Sequence, residues 1–279
     1  MFFDEREYVI FDGAMGTMLQ QSGLKLGMRP DIMNMTAPRT VEGILRMYVE
    51  AGSEIICANT FGANAFALKG TGYSPEEIVV AAVAIAKRAC GGAAKVALDI
   101  GPTGQLIEPV GDLEFDMAYE IFKAQAIAGE DAGADCAAIE TMSDIAELEA
   151  AILAVKENTR LPVLATMTFD KNGYTFMGCS PEDFAALAER LGAAAAGINC
   201  SLEPREMYAT AERIAKATTL PLIVKPNAGL PDGATGRYSI GPEEFAQQMA
   251  KFKGIGARIV GGCCGTTPDY IRELKKIYS

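Results

Sequence analysis

Three cysteines follow apolar segments at places where their thiolates could meet. Cys200 comes directly after AGIN, and the pair Cys263-Cys264 comes after ARIVGG. Because the chain has no histidine, a metal site in it must use thiolates and carboxylates. Three thiolates suit Zn²⁺ and leave a fourth tetrahedral position for a substrate. The residues alone are equally consistent with buried structural thiols.

The missing histidine also excludes Ser-His-Asp and Cys-His catalysis. Chemistry at neutral pH must then come from thiolates, carboxylates, lysine, tyrosine or a bound metal. Four further cysteines are interpreted as buried structural thiols: Cys57, Cys90, Cys136 and Cys179.

Charge and hydropathy exclude several protein classes. The net charge of −11 argues against nucleic-acid binding, which needs clustered lysine and arginine. No apolar run reaches membrane-spanning length, and the start MFFDEREYVI lacks the basic end of a signal peptide. We therefore expect a cytosolic protein with reduced cysteines, in which a strained vicinal disulfide at Cys263-Cys264 is disfavoured.

Eight short apolar runs must position these residues. Most are continuously apolar, as in strands that are buried on both faces of a parallel sheet. The runs are YVIFDGA from Tyr8, EIICANT from Glu54, KVALDIG from Lys95, CAAIE from Cys136, PVLATMTF from Pro162, AGINC from Ala196, PLIVKPN from Pro221 and ARIVGGCC from Ala257.

Helical segments separate the runs. Helix starts with proline at the first position are predicted at Ser74, Ser180, Gly241 and Thr267. Eight strands alternating with helices predict a single-domain α/β structure, a (β/α)8 TIM barrel over residues 1–279. A doubly wound open sheet is the alternative, but its phosphate-binding glycine fingerprint is missing. The Asn172-Gly173 dipeptide predicts a small hairpin after the fifth strand.

Polar residues end most of the predicted strands. In a barrel they converge on the C-terminal rim, where such enzymes place their active sites. The residues are Asp12, Asn59, Thr60, Asp99, Glu140, Asn199, Cys200, Asn227, Cys263 and Cys264.

Five motifs resemble the homocysteine S-methyltransferase family, in order along nearly the whole chain. They are DGAMGTMLQ at 12–20, ANTFGAN at 58–64, GINCS at 197–201, KPNAG at 225–229 and GGCCGTTPDYI at 261–271. The resemblance implies a zinc barrel that methylates homocysteine to methionine. By motif, Cys200, Cys263 and Cys264 are then the zinc ligands and catalytic residues.

Two segments, TFDKNGYTFMGCSPEDFA and NAGLPDGATGRY, look most like the homocysteine module of cobalamin-dependent methionine synthase. That likeness implies methylcobalamin as the donor, carried by another domain or protein, and possibly a folate-binding module as a further partner. The chain is then expected to be either one module of such a synthase or a short protein whose donor domain is separate.

The resemblance also suggests how the amino-acid end of homocysteine is held. Glu140 and Asp12 fall on family motif positions and are assigned to the ammonium group. The backbone N–H groups of Gly13, Ala14, Met15 and Gly16 are assigned to the carboxylate. Asn227 is interpreted as a fourth zinc ligand without substrate, or as a hydrogen-bond partner of a ligand cysteine. Purely structural roles for Asp12, Glu140 and the glycines are the alternative.

Three other functions remain open. The donor could be S-methylmethionine, S-adenosylmethionine or betaine, as in single-domain members of the family. The chain could be a non-catalytic zinc or amino-acid binding module. It could also be an unrelated barrel enzyme such as an aldolase, for which Lys225 is the candidate Schiff-base residue.

Overall fold

The computed structural model describes residues 7–25, 27–233, 236 and 238–279. Residues 1–6, and positions 234, 235 and 237 of the NAGLPDGATGRY segment, lie outside the described residues. Eight parallel strands form one sheet: β1 Val9–Ile10, β2 Ile55–Cys57, β3 Lys95–Ile100, β4 Cys136–Met142, β5 Val163–Met167, β6 Ala195–Asn199, β7 Leu222–Lys225 and β8 Ala257–Val260.

The sheet closes into a barrel. Its order is β1-β8-β7-β6-β5-β4-β3-β2, and a parallel bridge between Phe11 and Ile55 joins the two outer strands. The side chain of Asp12 strengthens this seam, because its Oδ2 accepts a hydrogen bond from the N–H of Cys57 at 2.7 Å. The predicted (β/α)8 barrel is confirmed, and the open-sheet alternative is wrong.

Ten α-helices lie in the described residues. They are α1 Met15–Gln21, α2 Met33–Thr36, α3 Pro38–Ala51, α4 Pro75–Cys90, α5 Phe115–Asp131, α6 Ile145–Asn158, α7 Pro181–Arg190, α8 Pro204–Ala217, α9 Pro242–Met249 and α10 Pro268–Tyr278. Two 3₁₀ helices span Pro30–Ile32 and Ala250–Ile255. None of these helices is long and apolar enough to cross a bilayer.

The helix starts form where the sequence predicts them. Ser74 accepts a hydrogen bond from the N–H of Glu77, and the Glu77 carboxylate accepts one from the N–H of Ser74. Ser180 caps α7 through the N–H of Asp183. This satisfies backbone donors that the first helical turn leaves unpaired.

Two apolar layers form the core. The larger one packs the outer faces of the strands against the helices. The smaller one fills the barrel interior, with Phe11 as its largest side chain: Val9, Phe11, Ile55, Cys57, Ala97, Cys136, Ala138, Leu164, Ala195, Ile223 and Ile259. The polar strand ends at the C-terminal side of this layer line a cavity.

One local prediction is wrong. The Asn172-Gly173 turn forms, with hydrogen bonds from the N–H of Gly173 to the carbonyl of Asp170 and from the N–H of Asp170 to the carbonyl of Tyr174. No strands flank it among the described residues, so the segment is a turn-rich loop rather than a hairpin. The side chain of Asp170 binds the N–H groups of Asn172 and Tyr174 and thereby competes with strand pairing.

Candidate metal and substrate site

A cavity of about 610 Å³ opens at the C-terminal ends of the strands. It brings together nearly all of the residues that the sequence singles out. Its lining includes Asp12, Gly13, Ala14, Met15, Gly16, Glu140, Cys200, Cys263 and Cys264, together with Asp99 and Lys225. Asn227 lies behind the cysteines and is buried.

Cys200, Cys263 and Cys264 form the sulfur cluster. Their Sγ atoms all lie within 4.8 Å of one another, and those of Cys200 and Cys264 are 3.8 Å apart. Tetrahedral coordination with Zn–S bonds of about 2.3 Å places two sulfurs about 3.8 Å apart. The three sulfurs are therefore spaced to hold a zinc ion. The other four cysteines are buried, as predicted: Cys57, Cys90, Cys136 and Cys179. Of these, Cys57 lines the cavity beside Asp99 and Glu140.

The backbone around Cys200 is held in an unusual conformation. Cys200 and Ser201 both have positive φ angles, 61° and 59°, which cost side-chain-bearing residues about 1 kcal/mol or more each. The N–H of Cys200 donates to the carbonyl of Lys225 at 3.0 Å, and the hydroxyls of Ser201 and Thr168 are 2.5 Å apart. These bonds hold the turn that points Cys200 at the Cys263-Cys264 pair.

Two asparagines support the sulfur cluster. Asn227 Oδ1 accepts a hydrogen bond from the N–H of Cys264 at 3.0 Å, which favours its hydrogen-bonding role over metal ligation. Asn199 Oδ1 accepts from the N–H of Thr141 and the hydroxyl of Thr166, both at 2.8 Å, and its Nδ2 points at Cys263 Sγ, 3.9 Å away. Sequence reasoning missed this role of Asn199, although its place before Cys200 was a usable signal.

The three thiols share their protons. Hydrogen bonds from Cys263 and Cys264 hold the pKa of Cys200 well below its usual range. The same contacts raise the pKa of Cys263, and hydrogen bonding to Cys200 is the main reason why the pKa of Cys264 is raised to about 12. A cation bound by all three sulfurs would have to displace the protons that the cluster holds.

Asp12, Asp99, Glu140 and Lys225 form the carboxylate cluster at the other side of the cavity. Lys225 Nζ is 2.5 Å from Glu140 Oε2, and the two side chains are only 5% and 13% exposed. The same Nζ lies 4.4 Å from the ring centroid of Phe11, which closes the barrel below it. Sequence reasoning did not predict this ion pair.

Burial and mutual charge set the protonation of this cluster. Burial raises the pKa of Asp12 to about 7, although the charge of Lys225 opposes the shift. Burial and the charge of Glu140 raise the pKa of Asp99. Burial alone would lower the pKa of Lys225, but the neighbouring acids, Glu140 first, hold it well above its usual range. Lys225 is then an ammonium ion, which disfavours the Schiff-base role of an aldolase lysine.

The segment from Gly13 to Gly16 passes beside the cavity. A Cβ on Gly13 would lie 2.5 Å from the carbonyl oxygen of Thr266, so only glycine fits this close approach. The N–H of Ala14 donates to that carbonyl at 2.9 Å. A cradle for a carboxylate would therefore use the N–H groups of Gly13, Met15 and Gly16 rather than all four.

Comparison with known proteins agrees with this arrangement. The family model described as homocysteine S-methyltransferase matches residues 9–278. The methionine synthases of Mycobacterium leprae (strain TN) and Mycobacterium tuberculosis (strain ATCC 25618 / H37Rv) are each 33% identical over 288 residues, which covers 95% of this chain. The chain spans only 24% of the length of these relatives.

The same fold occurs in solved structures of the homocysteine methyltransferase MmuM from Escherichia coli. The oxidized and metallated forms superpose with TM-scores of 0.84 and 0.83 over 98% of this chain and 97% of theirs, at 24% identity. The likeness at that identity concerns the fold. Because the family model matches almost its entire length, this chain belongs to the homocysteine S-methyltransferase family.

Proposed function

We propose that this chain binds homocysteine with its sulfur at a Zn²⁺ held by Cys200, Cys263 and Cys264, and methylates it to methionine. The observation that carries the proposal is the 3.8 Å separation of Cys200 Sγ and Cys264 Sγ, which matches two ligands of one tetrahedral zinc ion. When bound, the zinc ion supplies a substrate sulfur that is deprotonated at neutral pH.

The residues of the chain would hold both ends of the substrate. The sulfur cluster receives the thiol, while Glu140 and Asp12 face the ammonium group from the opposite side of the cavity. The N–H groups of Gly13, Met15 and Gly16 face its carboxylate. The substrate sulfur would then point at the open side of the cavity, from which a methyl donor can approach. No general base beside the sulfur is needed, in keeping with a chain that lacks histidine.

We further propose methylcobalamin as the methyl donor, presented by another domain or protein. The support is the 33% identity with two methionine synthases, of which the chain spans 24%. A partner module that binds cobalamin, and one that binds folate, would supply and recharge the donor. Because the metal site needs reduced thiols, the proposal also requires a reducing compartment such as the cytosol.

X-ray absorption at the zinc edge tests the metal and the acceptor together. The protein is purified without chelator, its zinc content is measured, and spectra are recorded with and without homocysteine. We expect close to one zinc per chain with three sulfur ligands, and a fourth sulfur when homocysteine is added. A zinc content below about one per ten chains, or an unchanged sulfur count with homocysteine, contradicts the proposal.

A donor assay tests the methyl source. Zinc-loaded protein and homocysteine are incubated separately with methylcobalamin, S-methylmethionine, S-adenosylmethionine and betaine, and methionine is measured. Methionine formation with methylcobalamin is expected. Turnover with S-methylmethionine and none with methylcobalamin would replace the proposed donor, whereas no turnover with any donor would favour the non-catalytic binding module.

A further inference from the structure

Asp99 is a buried carboxylate that the fold leaves without a partner. Its side chain is 8% exposed and lines the cavity, and its Oδ1 is buried without a hydrogen-bond partner among the described residues. The backbone of Asp99 is firmly held, because its N–H donates to Thr60 Oγ1 at 3.0 Å and its carbonyl accepts from Thr60 and Gln125. The fold thus fixes where Asp99 stands and leaves its Oδ1 without a hydrogen-bond partner among the described residues.

The other two acids of the carboxylate cluster differ from Asp99. Asp12 Oδ2 accepts from the N–H of Cys57 at the barrel seam, and Glu140 Oε2 is paired with Lys225. A buried carboxylate without a partner costs free energy, since it has lost its hydration and gained no hydrogen bond in return. Such a group inside a binding cavity is expected to find its partner in the ligand.

We propose that Asp99, together with Glu140, accepts the ammonium group of the substrate and so selects amino-acid thiols over thiols that lack an amino group. This inference rests on the proposed function. Carboxylate oxygens of Asp99 and Glu140 lie within 4.8 Å of each other. One ammonium nitrogen between them can reach both, since charge-assisted N–H···O bonds are about 2.8 Å long.

Lys225 pairs with Glu140 Oε2 and so determines which carboxylate oxygens of the cluster remain for the substrate. It holds Glu140 from the barrel interior, next to the ring of Phe11, and so fixes the Glu140 carboxylate beside Asp99. The cluster has three acids to one lysine, and burial together with this excess of acids holds the pKa of Asp99 above its usual range. An ammonium ion bound at Asp99 reduces this excess, whereas a thiol without an amino group leaves it unchanged.

Asp99→Asn tests the inference, because it removes the acid that can ionise beside an ammonium ion and keeps the shape of the side chain. Calorimetric titration of zinc-loaded protein compares homocysteine with 4-sulfanylbutanoate, which is homocysteine without its amino group. We expect the variant to bind homocysteine at least about 10-fold more weakly and 4-sulfanylbutanoate within about 2-fold of wild type. The control is Asp112→Asn, the same change at an exposed position of the loop after β3.

Thermal unfolding of the variant without substrate separates substrate binding from a structural role. Because Asp99 Oδ1 has no hydrogen-bond partner among the described residues, Asp99→Asn should have an unchanged or higher melting temperature. Equal weakening for both ligands, undiminished binding of homocysteine, or a lowered melting temperature would each overturn the role of Asp99. If the wild type itself fails to bind homocysteine, the proposed function falls and this inference with it; the two failures are thus distinguishable.

Discussion

The sulfur cluster and the carboxylate cluster line one cavity and are built in opposite ways. The sulfur cluster lies on loops after β6 and β8, and Cys264 within it is exposed. Its three like groups share protons through the hydrogen bonds between them. The carboxylate cluster is buried at the strand ends, and Lys225 is already its counter-ion.

This difference indicates two modes of recognition. The sulfur cluster offers three soft ligand atoms at an accessible place, which suits a metal ion such as zinc. The carboxylate cluster is buried and has one lysine for three acids, and the proposed ammonium site lies at Asp99, whose Oδ1 has no hydrogen-bond partner among the described residues. A thiol amino acid that spans the cavity would satisfy both clusters at once.

The largest effect is expected from Cys264→Ser. A hydroxyl is a poor zinc ligand at neutral pH, so the remaining two thiolates should hold zinc far more weakly. Zinc content should fall to near zero, and methionine formation should fall by at least about 1000-fold. Cys90→Ser is the matched control, because Cys90 is buried at the end of α4, away from the cavity. Full zinc content in Cys264→Ser would remove Cys264 from the ligand set.

Glu140→Gln should act on the carboxylate cluster and leave the metal in place. It removes a charge from the ammonium site and leaves Lys225 buried without its partner. We expect KM for homocysteine to rise about 10- to 100-fold and the free energy of unfolding to fall by about 3 kcal/mol, with zinc content unchanged.

The double variant Glu140→Gln/Lys225→Met distinguishes these two consequences. Removal of both charges should restore most of the stability, because no unpaired cation remains, while the high KM persists. Urea unfolding and steady-state kinetics measure the two quantities separately. Recovery of the low KM in the double variant would mean that Glu140 serves only as the partner of Lys225.

A smaller effect is expected from the pH dependence of Asp12. Burial raises its folded-state pKa from 3.8 to about 7, so folded protein keeps a proton that unfolded protein has lost. Stability should therefore fall as pH rises between about 4 and about 7, by at most about 4 kcal/mol from this group. Below this window Asp12 is protonated in both the folded and the unfolded protein, and above it Asp12 is ionised in both.

Asp12→Asn tests this fall in stability with pH, because the amide oxygen of the asparagine can still accept a hydrogen bond from the N–H of Cys57. The free energy of unfolding of wild type and variant is measured by urea titration across the window. As pH rises, the free energy of unfolding of the variant should increasingly exceed that of wild type. A constant difference would show that Asp12 titrates with an ordinary pKa.

Much of this arrangement follows from the sequence, and the exceptions have a common cause. The continuous apolar runs and the polar residues after them predict the barrel and bring Cys200 to Cys263 and Cys264. The ion pair of Lys225 with Glu140 could not be predicted, because β7 and β4 are three strands apart and meet only through the barrel interior. That contact depends on the stagger of the closed sheet, which no local pattern encodes.

The unmatched carboxylate of Asp99 escapes prediction for a related reason. Its place near the C-terminal end of β3 indicates a polar group near the rim, and Asn59 and Thr60 after β2 give the same indication. Asn59 instead binds loop carbonyls and Thr60 binds the backbone of Asp99. Only the packed structure shows which strand-end groups already have hydrogen-bond partners, because those partners are distant in sequence.

The smallest effect is expected outside both clusters, at the start of α4. Ser74→Ala removes the side chain that accepts from the N–H of Glu77 and should lower the free energy of unfolding by about 1 kcal/mol. Zinc content, KM and turnover should stay at wild-type values, because α4 touches neither cluster. Urea unfolding measures the first effect and the methionine assay the second. A change in KM would show that the outer helices and the cavity are coupled, and that the two clusters are not set by the strand ends alone.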